Sequence, residues 1–453
     1  MENNKNQMLI HNKRNEAKLE SFFRSITSIQ AIAIIGIIIW HIGQLSDIKD
    51  HSNIFIRTFF EIIESTGDIF IFLSGMLLTI GVMRSNKKEH SWKKWYKRRI
   101  VRIYPLLIIS TFFFLISNYY LFNENFDANS ILIHMSGLQS IPTNPNFFII
   151  APPHWYITLI LSCYLLFPLF YLCIKKNVKL TAFLGILLFI CYLFFANVFA
   201  NTIFEISKDL VTQLPPKLDF LWYYSLFALR FFVFLFGMLL GFWIGKNPNK
   251  SINILQKNGV GLTALVSLII IILFYFFFPI TNYTLLDFIR ILYHPLITIS
   301  FVIFSIWFFK YTTKINKMLE IPGKETLELF LFHQLVVDVF YYRIIVYFSL
   351  QSRIELYLIF IPLIVIGSIG LAFPFYLLGR FFRRESKTHK SILILSFSLL
   401  IYALIIIIFN LESIISNLYS LILFSSILII ISLINILHFF LKKEKYQTDL
   451  LVR

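Results

Sequence analysis

Long apolar runs are the feature that most constrains how this chain can fold. They recur along the sequence in lengths of roughly 18–24 residues, enough to cross a bilayer core of ~30 Å as α-helices. The chain has 453 residues, of which 58% are hydrophobic and only 14% are charged. A water-soluble core cannot bury that much apolar surface. The sequence therefore predicts an all-α polytopic membrane protein.

We predict a bundle of about 12 transmembrane helices from these runs. The segments are 27–46, 66–83, 103–122, 155–174, 179–198, 225–245, 259–279, 288–309, 327–349, 354–378, 391–410 and 414–441. Residues 1–25 are expected to form a cytoplasmic segment, 26–380 the main membrane domain, 381–441 two additional helices, and 442–453 a cytoplasmic tail. The loops 123–154 and 197–224 are long enough to shape a pocket on the outer side.

The placement of positive charge predicts the orientation. The formal net charge is +17, and most Lys and Arg residues lie before the first span or after every second one, as at 84–102, 175–179 and 380–390. By the positive-inside rule both termini are cytoplasmic. The positive charge is thus expected to face membrane lipids. No basic domain stands apart from the apolar segments, so nucleic-acid binding is not expected. Heavy use of Ile, Asn and Lys is typical of an A+T-rich bacterial genome, which favours the bacterial cytoplasmic membrane.

His41 is the ionisable residue of the first span. It lies about fourteen residues, or roughly 21 Å, along a helix that runs outward, so we expect it in the outer third of the membrane. Gln30 shares its helix face about three turns earlier. Polar groups are expensive in hydrocarbon and usually functional there, although a hydrogen-bonded interfacial His is the plain alternative. A neutral imidazole is well suited to accept a proton from a hydroxyl.

Three arginines mark the cytoplasmic start of the third span. Arg98 and Arg102 are four residues apart and share a helix face, and Arg99 flanks them. Clustered guanidinium groups suit phosphate, because each donates a fork of hydrogen bonds. A simple anchor for lipid headgroups is the alternative interpretation.

Other polar residues are predicted near the outer ends of their spans. His154 and Trp155 precede the fourth span, where they can contact a sugar or, more simply, belong to the aromatic belt. Arg230, Arg290 and His294 lie near the outer ends of their spans. Because Arg is costly within a membrane, we expect an arginine there to line a cavity or pair with an acid. Asp68 can orient a histidine or be hydrated.

The ninth span carries His333, Gln334 and Asp338. Gln334 and Asp338 are four residues apart and face the same way, whereas His333 points elsewhere. A His–Asp dyad within this helix is therefore not expected. The three cysteines lack the spacing of a metal site, and no metal is predicted.

Together these stretches resemble the acyltransferase-3 family of integral membrane acyltransferases over roughly residues 22–380. The matching motifs are Gln30 to His41, Phe70 to Gly75, Arg98 to Pro105, Trp155 to Pro168, Arg230 to Met238 and Phe330 to His333. Two positions depart from the family pattern: Gln30 stands where the family commonly has Arg, and Ile160 replaces a frequent Glu. Gln30 keeps the capacity for hydrogen bonding at that position but lacks the positive charge of Arg.

The resemblance implies transfer of an acyl group, usually acetyl from acetyl-CoA, to a hydroxyl of an extracytoplasmic glycan. It implies that His41 is catalytic, as a general base or as a covalent acyl carrier, and that Arg98, Arg99 and Arg102 bind the CoA phosphates. His154, Trp155, Arg230 and His333 are predicted to bind substrate. The alternatives are a transporter or flippase that exports a glycan or lipid-linked sugar, and a scaffold that has kept the fold without activity.

Overall fold

The computed structural model describes residues 2–45, 54–85, 91–122, 124, 126–139, 150–191, 227–277, 283–341 and 354–382. These residues are 93% helical and include no strand, which confirms the all-α fold. The predicted spans 391–410 and 414–441 and the tail 442–453 lie outside the described residues. The total of about 12 spans and the side of each terminus stay predictions.

The described part of the chain is built mainly from α-helices. In chain order they are α1 (Glu2–Leu45), α2 (Ile54–Glu64), α3 (Thr66–Arg84), α4 (Trp92–Phe122), α5 (Ala128–Ser136), α6 (Trp155–Lys176), α7 (Val178–Cys191), α8 (Phe227–Lys246), α9 (Pro248–Leu255), α10 (Asn258–Phe277), α11 (Tyr283–Tyr311), α12 (Thr313–Lys324), α13 (Thr326–Phe340) and α14 (Ile354–Phe382). A short 3₁₀ helix, Pro152–His154, leads into α6.

Six helical stretches of the described chain are long and apolar enough to cross a membrane. They are Glu16–Gln44, Thr58–Arg84, Trp92–Tyr119, Pro152–Lys176, Tyr293–Tyr311 and Phe360–Arg380. The pair α9 and α10 passes the same test as one span that is bent by 54°. Such lengths and hydropathies are those of a multi-pass membrane protein.

Four short α-helices lie in stretches where we predicted only loops. They are α2, α5, α9 and α12, with 11, 9, 8 and 12 residues. Helices of this length are invisible to a search for apolar runs that can cross a membrane. Helix α12 packs on α1 through buried Asn316, whose carbonyl oxygen accepts a 2.8 Å hydrogen bond from Ser28 Oγ and whose Nδ2 donates to Ser25 Oγ at 3.3 Å.

Two helices extend beyond the predicted membrane segments. Helix α1 begins at Glu2, so the polar segment 1–25 is largely helical. Helix α4 begins at Trp92 and carries its Lys- and Arg-rich turns in helical form before the apolar part starts. Hydropathy marks where a helix enters lipid, and straight-chain Lys, Arg and Glu are themselves good helix formers.

Glycines bring α3 and α8 into backbone contact. A Cβ at Gly75 would collide with the carbonyl oxygen of Phe234, and one at Gly237 would collide with the carbonyl oxygen of Phe72. Gly241 meets the backbone of Met76 in the same way. This is the small-residue packing by which membrane helices approach closely.

The chain divides into two compact units. The first comprises Met1–Ile37, Asp50–Tyr96 and Ser136–Gly323, and the second comprises Ile38–Lys49, Lys97–Met135 and Lys324–Arg453. The α3–α8 contact belongs to the first. In the second, Phe332 of α13 stacks on Phe375 of α14 with ring centroids 3.7 Å apart, and Phe113 of α4 packs edge-on against both rings.

Candidate active site

Two histidines face each other in the second unit. His41 of α1 and His333 of α13 have ring centroids 5.1 Å apart, with an angle of 42° between the ring planes. His333 is fully buried and His41 is 8% exposed. Two imidazoles in contact inside a membrane protein form a pair that can hold and pass a proton.

The backbone of α13 orients the His333 ring. Its Nδ1 lies 3.0 Å from the carbonyl oxygens of Leu329 and Phe330. Gln334, the next residue, instead donates a 2.7 Å hydrogen bond from Nε2 to Asp338 Oδ1. Gln334 and Asp338 therefore face the same way, as predicted, and His333 does not take part in their hydrogen bond.

Local side chains also hold His41. The Trp40 ring packs edge-on against it with centroids 4.9 Å apart, and the side chain of Gln44, one turn later, forms a hydrogen bond with the imidazole. His41 is therefore fixed by neighbours from its own helix and by His333 from α13.

The arginines of α4 also belong to the second unit. Arg98 and Arg102 are exposed and lie one helical turn apart, whereas Arg99 between them is half-buried. Two exposed guanidinium groups on one helix face can bind an anion together. The predicted spacing of this cluster on a helix is confirmed, and its ligand stays a prediction.

A buried charge cluster lies in the first unit, where α3, α8 and α11 meet. Asp68 Oδ1 lies 3.4 Å from Arg230 Nη1, and Asp68 Oδ2 lies 2.9 Å from His294 Nδ1. The Arg230 guanidinium lies over the Trp155 ring, 4.9 Å from its centroid. Gly67 leaves room for it, because a Cβ there would stand only 3.3 Å from Nη1.

This cluster supplies partners that the sequence left open. Arg230 was expected to line a cavity or pair with an acid, and it contacts Asp68. For His294 only a position near the outer end of its span was predicted, and it contacts the same carboxylate. Asp68 was expected to orient a histidine or be hydrated, and it contacts His294. The signal available in the sequence was only that an acid and two bases share the predicted outer depth. His154, also predicted to bind substrate, is buried at the end of the 3₁₀ helix beside half-buried Trp155.

The described residues include no group of three or more His, Cys, Asp and Glu side chains arranged to hold a metal ion. A helical membrane fold that encloses a contacting pair of histidines is the kind of arrangement expected of an integral membrane enzyme.

The comparison with family models specifies the class of enzyme. Residues 23–377 match the acyltransferase-3 model, described as an acyltransferase domain, and the chain belongs to this family. It is therefore a multi-pass membrane acyltransferase. No curated protein and no solved structure matches the chain.

Proposed function

We propose that this protein transfers an acyl group, most simply acetyl, from cytoplasmic acyl-CoA to a hydroxyl of an extracytoplasmic cell-surface glycan. The bacterial cytoplasmic membrane is its proposed location. The observation that carries the proposal is the buried, tightly held imidazole of His41 in a chain that belongs to an acyltransferase family. Family membership favours acyl transfer over the export of a glycan or lipid-linked sugar.

His41 is the proposed catalytic residue. A thioester carbonyl is already electrophilic, so the difficult part of O-acylation is to make the acceptor hydroxyl nucleophilic. Neutral imidazole does this by taking the hydroxyl proton as oxygen attacks, which contributes typically 10²–10⁴-fold. Contact with Trp40, Gln44 and His333 holds the ring in one orientation, as a general base requires. A covalent acyl-imidazole is the other route open to the same residue.

Arg98, Arg99 and Arg102 would hold the acyl donor. CoA carries several phosphate oxygens, and exposed guanidinium groups one turn apart match such a ligand. The positive-inside rule puts the start of α4 at the cytoplasmic surface, where CoA is available. The pantetheine arm would then reach into the membrane domain.

Trp155 and His154 are the proposed contacts for the glycan acceptor. An indole face stacks well on the apolar face of a sugar ring. Arg230 would act on the acceptor through Trp155, because its guanidinium lies over that ring and is paired with Asp68.

Substitution of His41 tests the proposal. His41→Ala should abolish acylation of the surface glycan, measured by mass spectrometry, while the variant accumulates normally in the membrane. His134→Ala, which removes a buried histidine of α5, is the matched control and should leave acylation intact. Acylation that survives in His41→Ala would refute the proposal. Deletion of the gene should leave the glycan present but unacylated, whereas loss of the glycan itself would indicate an exporter.

A further inference from the structure

The Nε2 atom of His333 is a buried acceptor that the proposed function does not yet use. Within the described part of the chain it has no hydrogen-bond partner, although the His333 side chain is fully buried. Buried polar atoms in proteins are almost always paired, because an unpaired one loses its hydration without compensation. An orphaned acceptor beside a proposed catalytic residue therefore points to a neighbouring donor that strengthens during the reaction.

The tautomer of His333 follows from its backbone contacts. Carbonyl oxygens can only accept hydrogen bonds, so an Nδ1 that lies 3.0 Å from two of them, on Leu329 and Phe330, must carry the proton. In the neutral ring the lone pair then resides on Nε2. The helix thus presents a hydrogen-bond acceptor in a fixed orientation.

The adjacent ring supplies the donor. His41 contacts His333 with ring centroids 5.1 Å apart, and both rings are shielded from solvent. Neutral imidazole has one N–H and one bare nitrogen, and the bare nitrogen is the one that can take the hydroxyl proton. The side chain of His41 also forms a hydrogen bond with that of Gln44. When the bare nitrogen takes the proton, the ring becomes charged and the N–H on its other nitrogen becomes a stronger donor, which His333 Nε2 can accept.

We infer that His333 is a positioning residue whose Nε2 accepts a hydrogen bond from protonated His41 and thereby stabilises the imidazolium formed during turnover. The inference rests on the proposed function and favours the general-base route. It revises the sequence-based expectation that His333 binds substrate.

The reaction balances without a further reactant. The acceptor O–H bond breaks, its proton passes to His41, and the oxygen forms a bond to the thioester carbonyl carbon. The C–S bond then breaks, and the departing CoA thiolate takes the proton from His41. His333 gains and loses only a hydrogen bond, so it ends each cycle unchanged.

Two isosteric amides test the inference. The amide of Gln reaches the position of Nε2, whereas that of Asn reaches only the position of Nδ1. His333→Asn should therefore lower kcat about 10- to 100-fold, the effect expected for one hydrogen bond to a charged group, with KM for acetyl-CoA unchanged. His333→Gln should retain most of the activity. Equal losses in the two variants, or no loss in either, would overturn the inference.

Hydrolysis of acetyl-CoA, in which water replaces the glycan as acyl acceptor, distinguishes a positioning role of His333 from a role in glycan binding. The full-length protein in detergent is assayed for acetyl-CoA hydrolysis, and membranes are assayed for transfer of labelled acetyl to their own glycan. Because His41 would activate either hydroxyl, His333→Asn should reduce both rates in parallel. Loss of glycan transfer with normal hydrolysis would instead assign His333 to the acceptor. If His333→Asn does not accumulate, His333→Leu removes the acceptor at similar volume.

Failure of this inference is distinguishable from failure of the proposed function. If His41→Ala retains acyl transfer, the proposed function itself is refuted. If His41→Ala is inactive and the two amides at position 333 behave alike, only the positioning role is lost.

Discussion

Asp68 Oδ2 lies 2.9 Å from His294 Nδ1, which joins α3 to α11 by a buried hydrogen bond between residues 226 positions apart in the chain. The other oxygen of the same carboxylate faces Arg230 of α8 at 3.4 Å. Three helices of the first unit are thus linked by one side chain. Removal of the Asp68 or Arg230 charge leaves the other buried charge without its ion-pair partner, so either change is expected to lower the free energy of unfolding.

Asp68→Asn and Arg230→Gln should each destabilise the protein by about 3–5 kcal/mol, because each leaves one buried charge without its ion-pair partner. The double variant removes both charges and should lose much less than the sum of the two. Unfolding in detergent, followed by tryptophan fluorescence, gives the three free energies. Strict additivity would show that the two side chains do not interact.

The glycine contact between α3 and α8 offers a matched pair of substitutions. Gly237→Ala should destabilise the protein by about 1–3 kcal/mol, because the new methyl group meets the Phe72 backbone, which cannot move aside. Gly81 also lies on α3, but no atom of the described chain stands within 4 Å of where its methyl group would be. Gly81→Ala should be neutral or stabilising by up to about 1 kcal/mol through helix propensity. The melting temperature of each variant is compared with that of the natural protein. Equal shifts in the two variants would contradict a backbone contact between α3 and α8 at Gly237.

Glu325, between α12 and α13, predicts a pH dependence of stability. Burial, and then the negative charge of Glu328, raise the pKa of its carboxyl well above the usual value. The folded state then binds more protons than the unfolded state, so stability is full below the unfolded pKa and falls as pH rises towards the folded pKa. Glu325→Gln should therefore raise the melting temperature at pH 7 and have little effect near pH 4.

The control for this experiment is Glu320→Gln. Glu320 is half-buried and pairs with Arg24, Oε2 to Nε at 3.4 Å, so its neutralisation should not stabilise the protein at pH 7. A gain at pH 7 in both variants would indicate a general effect of charge. A gain in Glu325→Gln that persists unchanged at pH 4 would contradict the raised pKa.

Arg102→Ala should raise KM for acetyl-CoA with a smaller effect on use of the acceptor, because a guanidinium–phosphate contact would be lost. Lys94→Ala is the control: Lys94 is also exposed on α4 but lies outside the arginine motif. The assay is labelled acetyl transfer in membranes over a range of acetyl-CoA concentrations. Equal rises in KM for the two variants would reduce the role of Arg102 to general electrostatic attraction.

The features predicted best from the sequence are those that depend on a single helix. The apolar runs predicted spans at 155–174 and 66–83. The corresponding helices are α6, Trp155–Lys176, and α3, Thr66–Arg84. The shared helix face of Gln334 and Asp338 followed from a spacing of four residues. In these cases the governing interaction, burial in lipid or a contact along one helix, is local in the chain.

Contacts between side chains of different helices could not be predicted from hydropathy and spacing. His41 stood out as a costly polar group in a span, but nothing in its neighbourhood indicates that His333 will face it. Arg230 was expected to line a cavity or pair with an acid, yet which acid it meets depends on how closely α3 approaches α8. That distance is determined by backbone contact at Gly75 and Gly237, which hydropathy does not report.

The glycine contact also restricts how this enzyme can move. The backbones of α3 and α8 touch at successive turns, so the two helices cannot slide or rotate past each other without steric collision. We therefore expect them to move as one rigid unit. Any opening that admits a substrate or releases a product has to occur at other helices, and Asp68 and Arg230 travel together throughout the cycle.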